Sequence, residues 1–250
     1  MCNFKSLLLT KDKAFCPDYD NHSRMIEELG LRDTALQPGF VKIEITPPND
    51  DPFTPLDQWA YRVDQDYFPD WYAEEIDKPR AMAALGEWAK DRIFVGVNGL
   101  ALTEGAGYYL KDCKDATLSG SSRVDCMVGS SRVDCMEGSS CVGCMEDSSR
   151  VGRMVGSSCV GRMVGSSRVG RMVGSSRVDD VYNNAKIGVA SGTAVISTIG
   201  PTNFDWPNKA ALILSENATY RNCIERTIYQ SGDWKLALVA DGTPIGGEQV

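Results

Sequence analysis

The chain has 250 residues and a formal net charge of −8, with 42% hydrophobic and 24% charged residues. This composition is ordinary for a soluble protein, and the length allows one large or two small domains. No run of about 18 apolar residues occurs, and the apolar stretch near the N-terminus is short and interrupted by charge. The sequence therefore predicts neither a membrane span nor a signal peptide, and we expect a cytoplasmic protein.

The negative charge lies in the N-terminal part of the chain. Residues 1–117 contain 13 Lys/Arg and 21 Asp/Glu, whereas residues 118–181 contain 8 and 7. An acidic domain repels nucleic acids and anionic membranes. We therefore expect no direct binding to either. Imitation of a nucleic acid by the acidic domain stays open, and a solvated acidic surface is the simpler interpretation.

Residues 1–112 show the pattern of an α+β domain. Strands are predicted over 4–9, 40–46, 59–63 and 93–97, because apolar and polar residues alternate there or β-formers cluster. A short helix is predicted over 23–29, with Asn21 or Ser23 as its N-cap and Gly30 just after its end. A second helix is predicted to begin at Asp77, with Pro79 in its first turn. Asn98 and Gly99 form a turn signal before a further strand.

A nine-residue tandem repeat starts at Gly120 and continues through seven copies to residue 182, with two looser copies after it. The first copy reads GSSRVDCMV, and its letters define nine columns. Self-similarity at a fixed period is typical of stacked repeat folds, and a period of nine is too short for helical-pair repeats. The pattern predicts a β-solenoid over residues 113–202. We expect residues 203–250 to form a C-terminal cap, partly β, using Phe204, Trp206 and Trp234.

The invariant columns of the repeat indicate which side chains face inward. The third-column Ser, the fifth-column Val and the eighth-column Met are the candidates, while the first-column Gly suits a corner with positive φ. One nine-residue copy spans only about 30 Å of extended chain, which is short for a whole coil around such a core. We therefore predict that two copies of the repeat form each coil. One copy per coil would contradict this prediction.

A register of two copies per coil predicts how the outward side chains are distributed. It places five arginines on one face as candidate anion-binding or partner-binding residues: Arg132, Arg150, Arg153, Arg168 and Arg171. Stacked arginines about 5 Å apart repel by up to about 1 kcal/mol per pair in water, so an acidic domain, a partner chain or an anionic ligand would offset the repulsion. We favour the simpler interpretation, a solvated basic stripe with splayed side chains. The opposite face receives two pairs of cysteines, and the members of each pair are two copies apart.

The nine cysteines point to reduced thiols and not to a disulfide framework, because their number is odd and no secretory signal is present. For the two stacked pairs, the reduced, bridged and metal-bound states all stay open. Cys141 and Cys144 form a CxxC pattern. Zinc would need further cysteines or histidines at suitable spacing, and His22 is the single histidine. We interpret the pattern as two repeat columns that both hold Cys. The copies also lack the repeated Gly and Asp of calcium-binding nonapeptides, so no metal or other cofactor is predicted.

Asp64, Asp66 and Asp70 form an acidic group in the segment VDQDYFPD. Carboxylates two residues apart can share a cation or act in acid–base chemistry, although such a run is more often a polar loop after a strand. His22 has no recognisable nucleophile or orienting group. No phosphate-binding, dinucleotide-binding or zinc-protease motif occurs. We predict no enzymatic activity and keep a metal-dependent enzyme using Asp64 and Asp66 as an alternative.

A dense group of aromatic residues lies within and just after the third predicted strand. It has two interpretations, a hydrophobic core or a patch that binds a partner. We favour the core. The group consists of Trp59, Tyr61, Tyr67, Phe68, Trp71 and Tyr72.

Several segments resemble a group of uncharacterised proteins from gut bacteria and their phages. They are MCNFKS, VKIEITPP, YRVDQD with PDWY, EWAKDRIFVG, GYYLKDCKD and ERTIYQSGDWKL. The resemblance covers most of the chain and implies a short-period β-solenoid after an α+β domain, in a bacterial host cell. It departs in the repeat, where relatives often carry Thr and aromatic columns and this chain carries Ser-Arg-Val and Met. The resemblance implies no established activity, site or cofactor.

From these features we expect a non-enzymatic interaction or assembly protein of phage or prophage type. It would act through the solenoid faces and the acidic N-terminal domain, by self-association or by binding a host protein. The alternative is an inhibitor of a bacterial antiviral defence system, which binds an effector protein or sequesters an anionic nucleotide signal. An arginine ladder suits an anionic ligand, and an acidic domain suits a nucleic-acid-binding enzyme.

Overall fold

The computed structural model describes residues 5–32, 39–105, 107–182 and 185–198, together with Ala218 and the backbone of five short strands between residues 212 and 245. The chain divides into two compact units, residues 1–93 and residues 94–250. The predicted cap residues Phe204, Trp206 and Trp234 lie outside the described residues. No helix in the described part is long and apolar enough to cross a membrane.

The first unit is built on an antiparallel sheet and two helices. In chain order its elements are β1 (Lys5–Thr10), β2 (Ala14–Phe15), α1 (His22–Glu28), β3 (Phe40–Thr46), β4 (Ala60–Val63) and α2 (Glu74–Lys90). The strand order is β2-β1-β3-β4. Strand β1 is buried on both faces, because Leu7 and Leu9 pack against the core beneath α2 while Leu8 packs against Met25 of α1. The predicted α+β organisation of this region is confirmed.

Both predicted helices are present, but α2 begins three residues earlier than expected. The Asn21 side chain accepts a hydrogen bond from Arg24 N and caps α1 as predicted. Helix α2 begins at Glu74, so Pro79 lies beyond its first turn. The buried Asp77 carboxylate accepts a hydrogen bond from Ala73 N at 2.9 Å and stabilises this earlier start. Pro79 removes one helical hydrogen bond there, which the packed helix tolerates.

The second unit is a parallel β-solenoid. Its strands are β5 (Ile93–Val95), β6 (Ala101–Leu102), β7 (Gly107–Lys111), β8 (Ala116–Leu118), β9 (Arg123–Val128), β10 (Arg132–Met136), β11 (Cys141–Met145), β12 (Arg150–Met154), β13 (Cys159–Met163), β14 (Arg168–Met172), β15 (Arg177–Val181), β16 (Lys186–Ala190) and β17 (Val195–Thr198). Odd-numbered strands pair in one sheet and even-numbered strands in the other. About six coils lie between residues 93 and 196.

The register confirms two repeat copies per coil. Val133 pairs with Val151 and Val151 with Val169, so each step along the ladder spans two copies. Corner glycines adopt positive φ as predicted, with φ of 66° at Gly129. Asp147 takes the same left-handed conformation where Gly is replaced, which Asp tolerates better than most residues.

The inward columns form the core of the solenoid as the sequence predicts. Every fifth-column Val is at most 1% exposed and every eighth-column Met is fully buried. The third-column serines are also fully buried. Stacking identical apolar side chains coil on coil buries them completely, because each coil is covered by the next.

The solenoid starts well before the predicted boundary at residue 112. Strands β5 to β8 already stack in the same two sheets, with Tyr108 paired to Val124 and Leu102 to Leu118. Residues 94–118 lack the Ser-Arg-Val-Met columns, so their period is not visible in the sequence. They still supply apolar inward side chains such as Leu110 and Leu118, and this is all that stacking requires.

The described strands near the C-terminus are β18 (Leu212–Leu214), β19 (Thr219–Asn222), β20 (Thr227–Gln230), β21 (Leu236–Leu238) and β22 (Pro244–Ile245). Strands β18 and β19 continue the parallel sheets, and β20 and β21 then pair with them in antiparallel orientation. This change of direction ends the regular stacking of coils. The outermost strands of the two sheets at this end are therefore β20 and β22.

Candidate anion-binding surface

The five candidate arginines lie together on the outer side of the even-numbered sheet. Arg132, Arg150 and Arg168 lie side by side in successive strands of the sheet, and Arg153 lies beside Arg171. All five side chains belong to exposed residues. We call this set the arginine face. Lys186 lies beside Arg168 in the next strand and extends this row of cations by one coil.

Only one member of the arginine face has an acidic partner within the described residues. Arg132 Nε donates to Asp134 Oδ1 at 2.7 Å. The other four arginines form no ion pair with any described carboxylate within 4.0 Å. They occupy two neighbouring coils and form a two-by-two array, which we call the unpaired array: Arg150, Arg153, Arg168 and Arg171.

The sixth column explains which arginines are paired. Where it holds Asp, the carboxylate binds the arginine two residues before it, as Asp134 binds Arg132. In the unpaired array the sixth column holds Gly152 and Gly170 instead. A Cβ at Gly152 would lie 2.7 Å from the Asp134 carbonyl oxygen, and one at Gly170 2.6 Å from that of Gly152. The close approach of the backbones therefore favours glycine and leaves the arginines without a local counter-charge.

The opposite sheet carries the same columns, but its arginines have partners. Arg123 pairs with Asp125 and Arg177 with Asp179, each at 2.6 Å. Arg162 lies over the ring of Tyr182, with its guanidinium carbon 5.0 Å from the ring centroid. Among the described residues, four of the five arginines on the even-numbered sheet lack an acidic partner, whereas two of the three on the opposite sheet have one.

One of the two stacked cysteine pairs on the opposite sheet is bridged, which corrects the general expectation of reduced thiols. Cys141 and Cys159 form a disulfide, with their Cα atoms 4.6 Å apart. In-register stacking places the two Cα atoms within the range that a disulfide needs. The cellular compartment and the odd cysteine count, on which the expectation rested, do not take this local geometry into account.

The CxxC pattern is not a bridged pair, because Cys141 bonds to Cys159 in the next coil. The Cys144 thiol donates to Glu146 Oε1 at 3.3 Å. Burial, the hydrogen bond and the charge of Glu146 raise the pKa of Cys144 to about 12. A thiol with this pKa is a poor nucleophile at neutral pH, so the pair lacks the low-pKa thiol of a redox CxxC site.

One carboxylate of the acidic segment, that of Asp64, lies beside His22. The His22 Nδ1 atom lies 3.5 Å from Asp64 Oδ2, and Nε2 lies 3.1 Å from the carbonyl oxygen of Ile43. These contacts hold the start of α1 against the sheet. Among the described residues, no group of three or more His, Cys, Asp or Glu side chains could hold a metal ion, so Asp64 and Asp66 are not joined by a third ligand there.

The aromatic group of the first unit is divided between core and surface. Trp59 is 6% exposed, and its Nε1 donates to the carbonyl oxygen of Thr54 at 3.0 Å. Tyr61 and Tyr72 pack against the same core, with their hydroxyl oxygens 3.2 Å apart. Tyr67 and Phe68 are 62% and 50% exposed. The preferred interpretation as core thus holds for part of the group only.

Sequence reasoning missed Lys186. It also missed that an Asp in the sixth column neutralises the arginine two residues before it. An offset of two repeat copies from Arg168 would have found Lys186, but it lies in a degenerate copy.

No known family, curated protein or solved structure matches the chain.

Proposed function

We propose that this chain is a non-enzymatic interaction protein that binds an anionic partner through the arginine face. The observation that carries the proposal is the unpaired array, in which four exposed arginines of two adjacent coils have no described counter-charge. We further propose a phage or prophage origin and a cytoplasmic location in the host cell, as the sequence resemblance implies.

The energetics of the array favour an external anion. Guanidinium groups stacked at the strand spacing of about 4.8 Å repel by about 1 kcal/mol per pair at the dielectric constant of water. A bound carboxylate or phosphate removes this repulsion and accepts paired hydrogen bonds from each guanidinium. The paired arginines of the opposite sheet would first have to release their aspartates, so they offer less to the same ligand.

The rigidity of the surface also favours binding. The four arginines stand on strands whose inward neighbours Val151, Met154, Val169 and Met172 are at most 1% exposed. Both strands are hydrogen-bonded on each side within the parallel sheet. The Cα positions of the array are therefore fixed before binding, which lowers the ordering cost of recognition.

Two double variants test the proposal with the same change of charge. R150Q/R168Q removes two unpaired arginines, whereas R123Q/R177Q removes two paired arginines from the same column of the opposite sheet. Inorganic tripolyphosphate serves as a defined polyanionic probe in isothermal titration calorimetry at low salt. We expect R150Q/R168Q to raise Kd by about tenfold, since each exposed contact contributes under about 1 kcal/mol, and the control to change it less than about twofold.

Equal weakening by both double variants would show a nonspecific charge effect and would refute the proposal. No measurable binding by the natural chain at low salt would refute it as well. Raising the salt concentration should weaken binding by the natural chain more steeply than binding by R150Q/R168Q, because fewer ion contacts are screened in the variant.

A further inference from the structure

Two cysteines of the odd-numbered sheet stand in the same structural relation as the bridged pair. Cys126 of β9 is the direct partner of Cys144 in β11, just as Cys141 of β11 is the direct partner of Cys159 in β13. The members of each pair are therefore separated by one coil. Cys126 and Cys144 are both thiols with partly exposed side chains.

We propose that Cys126 and Cys144 are an oxidation site that forms a second disulfide between coils. The bridged pair shows the spacing that this register provides, with Cα atoms 4.6 Å apart. Disulfides form at Cα separations of about 4.4–6.8 Å. Partners in a parallel ladder all stand at about the same strand spacing, so little backbone movement is needed.

The chemistry requires an external small-molecule disulfide as the oxidant. One cysteine thiolate attacks a sulfur of the oxidant, forming a mixed disulfide and releasing one small thiolate. The second cysteine thiolate then attacks the protein sulfur of the mixed disulfide and releases the other small thiolate. Overall, the cysteines lose two protons and two electrons, and the oxidant is reduced to two thiols. Because the pKa of Cys144 is about 12, its thiolate fraction is small and the reaction is faster in alkaline solution.

Formation of this second disulfide would link strand β11 covalently to both of its neighbours in the sheet. Strand β11 would carry one bridge to β9 through Cys144 and another to β13 through Cys141, so three successive strands of one sheet become covalently joined. The arginine face lies on the other sheet, so this site is independent of the proposed function.

Cys135 provides an internal control. It lies in the seventh column, like Cys126 and Cys144, but its partners in the ladder are Arg153 and Thr117. A mixed disulfide formed at Cys135 has no neighbouring in-register thiol to displace the small molecule. Cys135 should therefore keep the small-molecule adduct, whereas Cys126 and Cys144 lose theirs when the disulfide between them forms.

The experiment treats the full chain with oxidised glutathione in mildly alkaline buffer and maps its peptides by mass spectrometry without reduction. We expect a peptide linked through Cys126 and Cys144, and a glutathione adduct on Cys135. In C144S, Cys126 should retain glutathione as Cys135 does. Stable glutathione adducts on both Cys126 and Cys144 of the natural chain would overturn the proposal, as would a bridge from Cys126 to any other cysteine.

Discussion

Two serines in the same buried column are expected to respond differently to the same substitution, with a clear loss of stability at only one of them. Ser131 and Ser149 are one coil apart in the even-numbered sheet, and both are fully buried. The Ser131 hydroxyl donates toward Val128 O at 2.8 Å and Leu110 O at 3.1 Å, and accepts from Cys113 N at 3.3 Å. The Ser149 hydroxyl has no hydrogen-bond partner among the described residues.

The magnitudes follow from these contacts. Ser131→Ala removes about one net hydrogen bond and leaves the buried Cys113 N–H without its acceptor, which together cost about 2–3 kcal/mol. Ser149→Ala removes a hydroxyl that is buried without a partner, so the free energy of unfolding should stay within about 0.5 kcal/mol or rise by up to about 1 kcal/mol.

Urea denaturation followed by circular dichroism measures both changes against the natural chain. The slope with urea should be the same in the three proteins, because the buried surface hardly changes. Equal destabilisation by Ser131→Ala and Ser149→Ala would refute the reasoning, since it would mean that the column position, and not the hydrogen bonds, determines the contribution of each serine.

Three further results are expected from single sites of the solenoid. C141S should lower the free energy of unfolding by about 3 kcal/mol under non-reducing conditions, as expected for a loop of one coil. A reductant should abolish this difference between C141S and the natural chain. Identical melting curves of the two proteins without reductant would contradict the bridge. M154A should cost about 2–5 kcal/mol by leaving a cavity between coils, whereas R153A at the neighbouring outward position should cost less than about 0.5 kcal/mol, and similar values in urea titrations would contradict the assigned faces. Iodoacetamide should modify Cys144 slowly at neutral pH and faster as the pH approaches the pKa of its thiol, about 12. E146Q should accelerate the reaction by lowering that pKa. An unchanged rate in E146Q would show that Glu146 does not raise the pKa of Cys144.

The sequence is sufficient to predict which solenoid columns face inward and which residues share a face. The invariant Val and Met columns set the core, and a coil of two copies then places Arg150 beside Arg168 in the next coil. Alternation along a strand relates the Ser and Val columns, whereas the Met, three residues after the Val, is identified by its invariance. The length of a coil must then enclose this core.

Features that depend on individual contacts were not accessible from the sequence. The bridge between Cys141 and Cys159 follows from a Cα separation, and the first coils at residues 93–118 carry no repeated columns. The neutralisation of Arg132 by Asp134 is visible as an Arg-x-Asp pattern, but its significance appears only beside Arg150 and Arg168, which lack such a partner among the described residues.

The most direct test of the central claim is the NMR signal of each arginine side chain during titration with inorganic tripolyphosphate. The Nε–Hε resonances report contact at individual guanidinium groups. We predict the largest shifts at Arg150, Arg153, Arg168 and Arg171, with little change at Arg123, which is paired with Asp125. Shifts of equal size at Arg123, or no shifts in the array at low ionic strength, would contradict it.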